Sequence, residues 1–84
     1  KVYWRGNANM WATNARKAGA TVNRTPAVGA IIQTNESRWG HVGYITGVNG
    51  SKVTFTEWNY AGLYVKTTRT LDMSDSKVKA IIHP

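Results

Sequence analysis

His41, Glu57 and Asn59 are the residues of this 84-residue sequence whose types and spacing could do chemistry together. An imidazole held by a carboxylate and an amide keeps one tautomer and one orientation, as a general base requires. The three stand at opposite ends of one long stretch, Gly40 to Tyr60, folded back at Asn49-Gly50. That dipeptide between two runs rich in Val, Ile, Thr and aromatic residues is the strongest short-range hairpin signal. A hairpin lays its start beside its end, so His41 returns to the neighbourhood of Glu57 and Asn59.

Whether they meet is a question of parity, because side chains alternate faces along a strand and directly paired residues share one. A two-residue loop of Asn49-Gly50 pairs His41 with Trp58 and puts Glu57 and Asn59 on the other face. A three-residue loop of Val48-Asn49-Gly50 pairs His41 with Glu57. Taking Asn49-Gly50-Ser51 as the loop pairs it with Asn59. The chemistry therefore requires an odd loop or a compensating bulge.

The remaining elements must hold this hairpin. The chain is long enough for one domain with a small core, and a hydrophobic fraction of 42% with four tryptophans argues for a folded one. Lys1 to Arg5 reads as an entry segment. Asn7 is a suitable N-cap for a helix over Ala8 to Ala18, in which Ala8, Trp11, Ala12, Ala15 and Ala18 recur at helical spacing and Gly19 supplies the stop. Ala20 to Thr25 is a connection, within which Thr21-Val22 is a candidate for extended backbone. Ala27 to Thr34 is an apolar run of strand length, Leu63 to Thr70 alternates, and Val78 to Ile82 closes the chain as a last strand. The plan is α+β, with one N-terminal helix followed by a small antiparallel sheet or half-open barrel of about five strands.

The sequence contains no cysteine, which excludes a disulfide framework, a thiolate metal site and a thiol nucleophile within these residues. Neither His41 with His83 and the carboxylates nor Asp72-Met73-Ser74-Asp75 has recognisable metal-ligand spacing, so no metal and no cofactor are expected. The net charge of +7 suits a polyanionic partner, yet the basic residues form no block and no nucleic-acid-binding motif accompanies them. No run approaches the ~18 apolar residues of a membrane span. Trp11 reads as a core anchor. Trp39 and Trp58 flank the hairpin rim and are candidates for a substrate groove.

In order along the chain, Gly6-Asn7-Ala8 with Trp11, Thr25-Pro26-Ala27-Val28-Gly29-Ala30-Ile31, Gly40-His41-Val42, Glu57-Trp58-Asn59-Tyr60 and Ile81-Ile82-His83-Pro84 form a familiar set. Together they resemble the CHAP family, the cysteine, histidine-dependent amidohydrolase/peptidase domains of bacteriophage endolysins and bacterial wall hydrolases. The resemblance implies a papain-like (NlpC/P60-type) core that cuts peptidoglycan as an endopeptidase or N-acetylmuramoyl-L-alanine amidase. It also implies His41 as base, with Glu57 and Asn59 as its orienters. The family's nucleophilic cysteine, early in a helix, has no counterpart here. The expectation is a domain missing its N-terminal cysteine-bearing helix, inactive by itself, with replacement of the cysteine at Ala8 as the other explanation.

The implied partner is bacterial peptidoglycan, with anionic wall polymers as a further attraction for a basic chain. A small domain lacking a helix also leaves room for self-association or for association with the missing N-terminal segment. The implied location is extracellular or wall-associated, as a phage-encoded lysin or a secreted bacterial hydrolase. A non-catalytic wall-binding module on a degenerate CHAP fold is the alternative.

Overall fold

A computed structural model describes residues 10–36, 40–58 and 66–84. One helix, α1 (Trp11–Lys17), is followed by six strands: β1 (Thr21–Asn23), β2 (Ile31–Thr34), β3 (His41–Asn49), β4 (Lys52–Trp58), β5 (Lys66–Asp72) and β6 (Val78–His83). They form a single antiparallel sheet in the order β1-β6-β2-β3-β4-β5.

This corrects the expected architecture. Among the described residues the fold is mostly β, an open six-stranded sheet with one short helix, and not a five-stranded sheet or half-open barrel. Strands β1 and β5 are its two edges. The extended pair Thr21-Val22 proves to be part of a sixth strand, β1, three residues that pair with β6 in the register Thr21↔His83, Val22↔Ile82 and Asn23↔Ile81. Its apolar content is one valine, and its partner lies at the far end of the chain. Strand β2 is shorter than the apolar run suggests. Residues 27–30 instead form a turn in which the Ala30 N–H donates to the Ala27 carbonyl and Gly29 adopts a φ of 91°.

Each face of the sheet carries a buried cluster. On one, Ile32, Ile45, Val53, Phe55, Val78 and Ile81 pack with Ala30, under Ala27, Leu71 and Met73. On the other, Ile31, Ala80 and Ile82 receive Ala12 and Ala15 of α1, with Trp11 beside them. Small alanine side chains bring the helix backbone close to the sheet. That closeness matters, because the N-terminus of the helix is satisfied from the sheet itself. Fully buried Gln33 of β2 accepts a hydrogen bond from the Ala12 N–H through Oε1 at 2.7 Å. The local N-cap, Met10, contributes no side-chain bond. The expected cap Asn7, together with Ala8 and the entry segment, falls outside the described residues.

At its other end α1 closes as a Schellman motif. The Ala20 N–H donates to the Ala15 carbonyl at 2.9 Å and the Gly19 N–H to the Arg16 carbonyl at 3.1 Å. Gly19, at a φ of 90°, takes the left-handed position that this ending requires, as its place in the sequence predicts. After β1, Arg24 reaches the carbonyls of Met73, Val78 and Lys79, tying that edge to the β5–β6 connection.

Candidate functional site

The β3–β4 hairpin turns through Gly50-Ser51, since Asn49 pairs with Lys52, Val48 with Val53 and Gly47 with Thr54. Continued unbroken, this register would carry His41 to the face opposite Glu57. It does not continue. Between Gly47 and Ile45 the register shifts by one residue, and Ile45 then pairs with Phe55, Tyr44 with Thr56 and Gly43 with Glu57. Thr46 is the extra residue, and its hydroxyl donates to the Thr54 carbonyl at 3.4 Å. The compensating bulge that the chemistry calls for is therefore present.

With Gly43 opposite Glu57, His41 lies two residues along β3 on the same face. On its other side it pairs directly with Thr34 of β2. Thr34, His41 and Glu57 thus share one face at one end of three adjacent strands. His41 is half-buried, whereas Thr34 and Glu57 are buried at 1% exposure each. Among the described residues, the Thr34 hydroxyl and the Glu57 Oε2 have no hydrogen-bond partner.

The other oxygen of Glu57 is held by a residue the sequence reading passed over. Arg69 of β5 donates Nε to Glu57 Oε1. The same guanidinium donates Nη1 to Glu36 Oε2 at 3.0 Å and Nη2 to Glu36 Oε1 at 2.5 Å. Arg69 therefore spans the end of the sheet, from the edge strand to the residues that follow β2. The guanidinium lies over the Phe55 ring, 5.2 Å from its centroid, a favourable cation–π placement. Gly43 keeps this layer open: a Cβ there would come within 2.8 Å of the Phe55 ring.

The charges respond to one another. The hydrogen bond from Arg69 holds the Glu36 carboxyl below its ordinary value despite the opposing effect of burial, and the Arg69 and His41 charges add to the lowering. For Arg69 itself burial works against the charge, yet its bonds to Glu36 and Glu57 prevail and raise its pKa.

Signals for Arg69 and Glu36 were thin. Arg69 lies in phase with Leu71 along β5, and Phe55↔Arg69 and Val53↔Leu71 are register partners, so an arginine occupies an inward position. That phase can be read only once the strand is extended to Asp72. Of the other candidates, Trp39 and Asn59 lie outside the described residues. Trp58 is described only as the last residue of β4. His83, at the far end of the sheet from the hairpin rim, places Nε2 2.9 Å from Asn23 Oδ1.

On the opposite face a groove of about 240 Å³ runs between α1 and the hairpin, lined by Trp11, Ile31, Val42, Tyr44 and Thr56 and reaching Gly43 and Glu57. Tyr44 there is 53% exposed. No group of three potential metal ligands gathers among the described residues. No described helix is long and apolar enough to cross a membrane.

Comparison with known proteins adds to this geometry. Staphylococcal secretory antigen SsaA of Staphylococcus epidermidis is 45% identical over 80 residues, covering 93% of this chain and 31% of the relative. The protein of that name from Staphylococcus aureus matches to the same extent. The chain thus spans about a third of the length of these curated relatives. They are bacterial secretory antigens by name, which leaves the expected bacteriophage-endolysin origin and bacteriolytic action without support.

Among solved structures, N-acetylmuramoyl-L-alanine amidase from Staphylococcus aureus superimposes with a TM-score of 0.82 at 23% identity, over 93% of this chain and 24% of that one. Ly7917 does so at 0.71 and 23%, over 98% and 42%. At such identities the likeness is one of fold. A CHAP domain model matches residues 1–59, through α1 and the hairpin that carries His41 and Glu57, and by that match the chain belongs to the CHAP domain family.

Proposed function

We propose that this chain is the histidine-bearing part of a secreted, wall-associated peptidoglycan hydrolase of the endopeptidase or N-acetylmuramoyl-L-alanine amidase type. His41 is its general base, Glu57 the carboxylate that orients the base, and Asn59 a second orienter. The observation that supports this most is the bulge at Thr46. It brings His41 onto the face of Glu57 where the two-residue loop would have separated them.

In this reading the nucleophile is a thiol from the longer protein, since these 84 residues contain none. His41 takes the thiol proton, and the thiolate attacks the carbonyl carbon of a wall peptide or amide bond. The C–N bond then breaks as the imidazolium returns its proton to the departing amine. Water activated by the same imidazole cleaves the thioester and regenerates the thiol. A domain missing its cysteine-bearing segment is inactive alone. The test is release of soluble fragments from purified walls by the full-length protein and by its His41→Ala variant. A loss of at least about 100-fold is expected for a missing general base. Undiminished release by the variant would discard His41 as base, and an inactive full-length protein would discard the hydrolase.

The groove on the opposite face favours a second reading, a wall-binding module. Exposed Tyr44 and half-buried Trp11 offer stacking surface there, and the +7 charge favours retention on anionic wall polymers. Retention of this chain on walls, reduced when those polymers are stripped, is its expected signature. Equal and negligible retention on both preparations excludes it.

A further inference from the structure

The hydrolase reading assigns roles to His41 and Glu57 but none to the arginine that binds Glu57. We propose that Arg69 is a positioning residue: it anchors Glu57 through Oε1 alone, so that Oε2 is left as the acceptor for the His41 imidazole. This rests on the reading of His41 as the base.

Three observations carry the inference. First, Arg69 bonds one oxygen of Glu57 and both oxygens of Glu36, so the guanidinium is fixed from two sides and its Nε bond fixes the carboxylate in turn. A planar fork of donors fixes the direction of both carboxylates, whereas an ammonium on a flexible stem attracts them without fixing their orientation. Second, Glu57 Oε2 is buried and has no partner among the described residues. A buried carboxylate oxygen without a donor is costly, and the residue two positions from its cross-strand partner is a histidine. Third, the position of Arg69 is itself over-determined. Its guanidinium lies on Phe55, whose ring takes the space that a side chain at Gly43 would fill. A surface ion pair would need none of this packing.

The experiment is the tautomeric state of His41 in this chain, read from ring-nitrogen shifts after 15N-histidine labelling. It is made at about pH 8, above the ordinary imidazole value of about 6.5. The parent chain is expected to show two well-separated ring-nitrogen shifts for His41, the mark of one fixed tautomer. In Arg69→Met the two shifts should move towards a common averaged value, while those of His83, bound to Asn23 at the other end of the sheet, stay in place. Arg69→Lys retains the positive charge over Phe55 and keeps the test open where Arg69→Met does not fold. Averaging is expected there too, because a point-like ammonium lacks the planar fork that orients Glu57 from its bonds to Glu36.

A single unshifted tautomer of His41 in any folded Arg69 variant overturns the proposal, as does averaging in the parent chain. The readout needs no hydrolysis. Inactivity of the full-length protein would therefore remove the hydrolase, while an unmoved tautomer would remove the role of Arg69.

Discussion

Gly43 faces Glu57 across the β3–β4 ladder although the loop that joins these strands sets the opposite parity. The register change at Thr46 makes the difference, and it leads to an unusual prediction about deletions. Removing Thr46 deletes the unpaired residue and leaves every observed pair in place. Its cost is limited to the hydroxyl bond to the Thr54 carbonyl, within about 1.5 kcal/mol. Removing Tyr44 has no such escape. Either Gly43 and His41 slip to the other face, or the bulge is absorbed and Thr46 replaces Ile45 in the buried layer. Loss of a side chain as buried as Ile45, at 2% exposure, costs about 2–5 kcal/mol. Urea unfolding of the two deletion variants should rank them in that order, and equal midpoints would contradict the assigned bulge.

A second prediction concerns the charge cluster. The Glu57 side chain is fully buried, and those of Glu36 and Arg69 are 12% and 16% exposed. Arg69→Met leaves two carboxylates without their cation and should cost about 3–5 kcal/mol. That is a large part of the roughly 4–12 kcal/mol expected for a domain of this length. Adding Glu57→Gln and Glu36→Gln to Arg69→Met removes the stranded charges and should recover more stability than either neutralisation alone. Chemical denaturation of the series decides it, and a triple variant no more stable than Arg69→Met would argue against an uncompensated-charge cost.

Legibility in the sequence follows the range over which each signal acts. Alternation and Asn49-Gly50 placed the hairpin, because both are local. The turn itself sits one residue later. Asn49 stays in the ladder and Gly50, at a φ of 61°, takes the first loop position, where a primed two-residue turn needs a positive φ. Gly19 announced the end of α1 for a similarly local reason. What stayed hidden depended on distant partners. Strand β1 exists through its pairing with β6. Gln33 looked like one polar residue at the end of an apolar run until α1 came down on it. Arg69 and Glu36 are 33 positions apart, and they meet through the order of four strands that no periodicity reveals.

Gln33 gives the third prediction. Its side-chain Oε1 caps α1 from outside the helix, so Gln33→Leu, which preserves bulk, strips the Ala12 N–H of its acceptor in a buried place. A cost of about 1–3 kcal/mol is expected. The loss should be concentrated in α1, seen as faster amide exchange at Ala12 and its neighbours, while β3 and β4 keep their protection. Uniform acceleration throughout the sheet would show instead that Gln33 supports the core as a whole.

The last prediction is the response to acid. Two carboxyls have folded-state pKa values below their ordinary ones. Glu36 is lowered first of all by its bond from Arg69. Asp72 is lowered to about 2, chiefly by the Ser74 N–H and then by the Ser74 and Ser51 hydroxyls. A depressed folded-state value means that protonation favours the unfolded chain. The stabilisation is complete above the unfolded values of 4.5 and 3.8, and it is lost as pH falls through the folded ones. Stability should therefore fall first below about pH 4.5, through Glu36, and continue falling towards about pH 2 through Asp72. Glu36→Gln should flatten the upper part of that decline and Asp72→Asn the lower part. The Asp72 side chain is 34% exposed against 12% for Glu36, so its effect is the more easily screened and added salt should shrink the lower segment more than the upper. Denaturation midpoints between pH 5 and pH 2 at two ionic strengths separate the two contributions. If both variants kept the parent slope, the acid response would have to originate in other carboxyls.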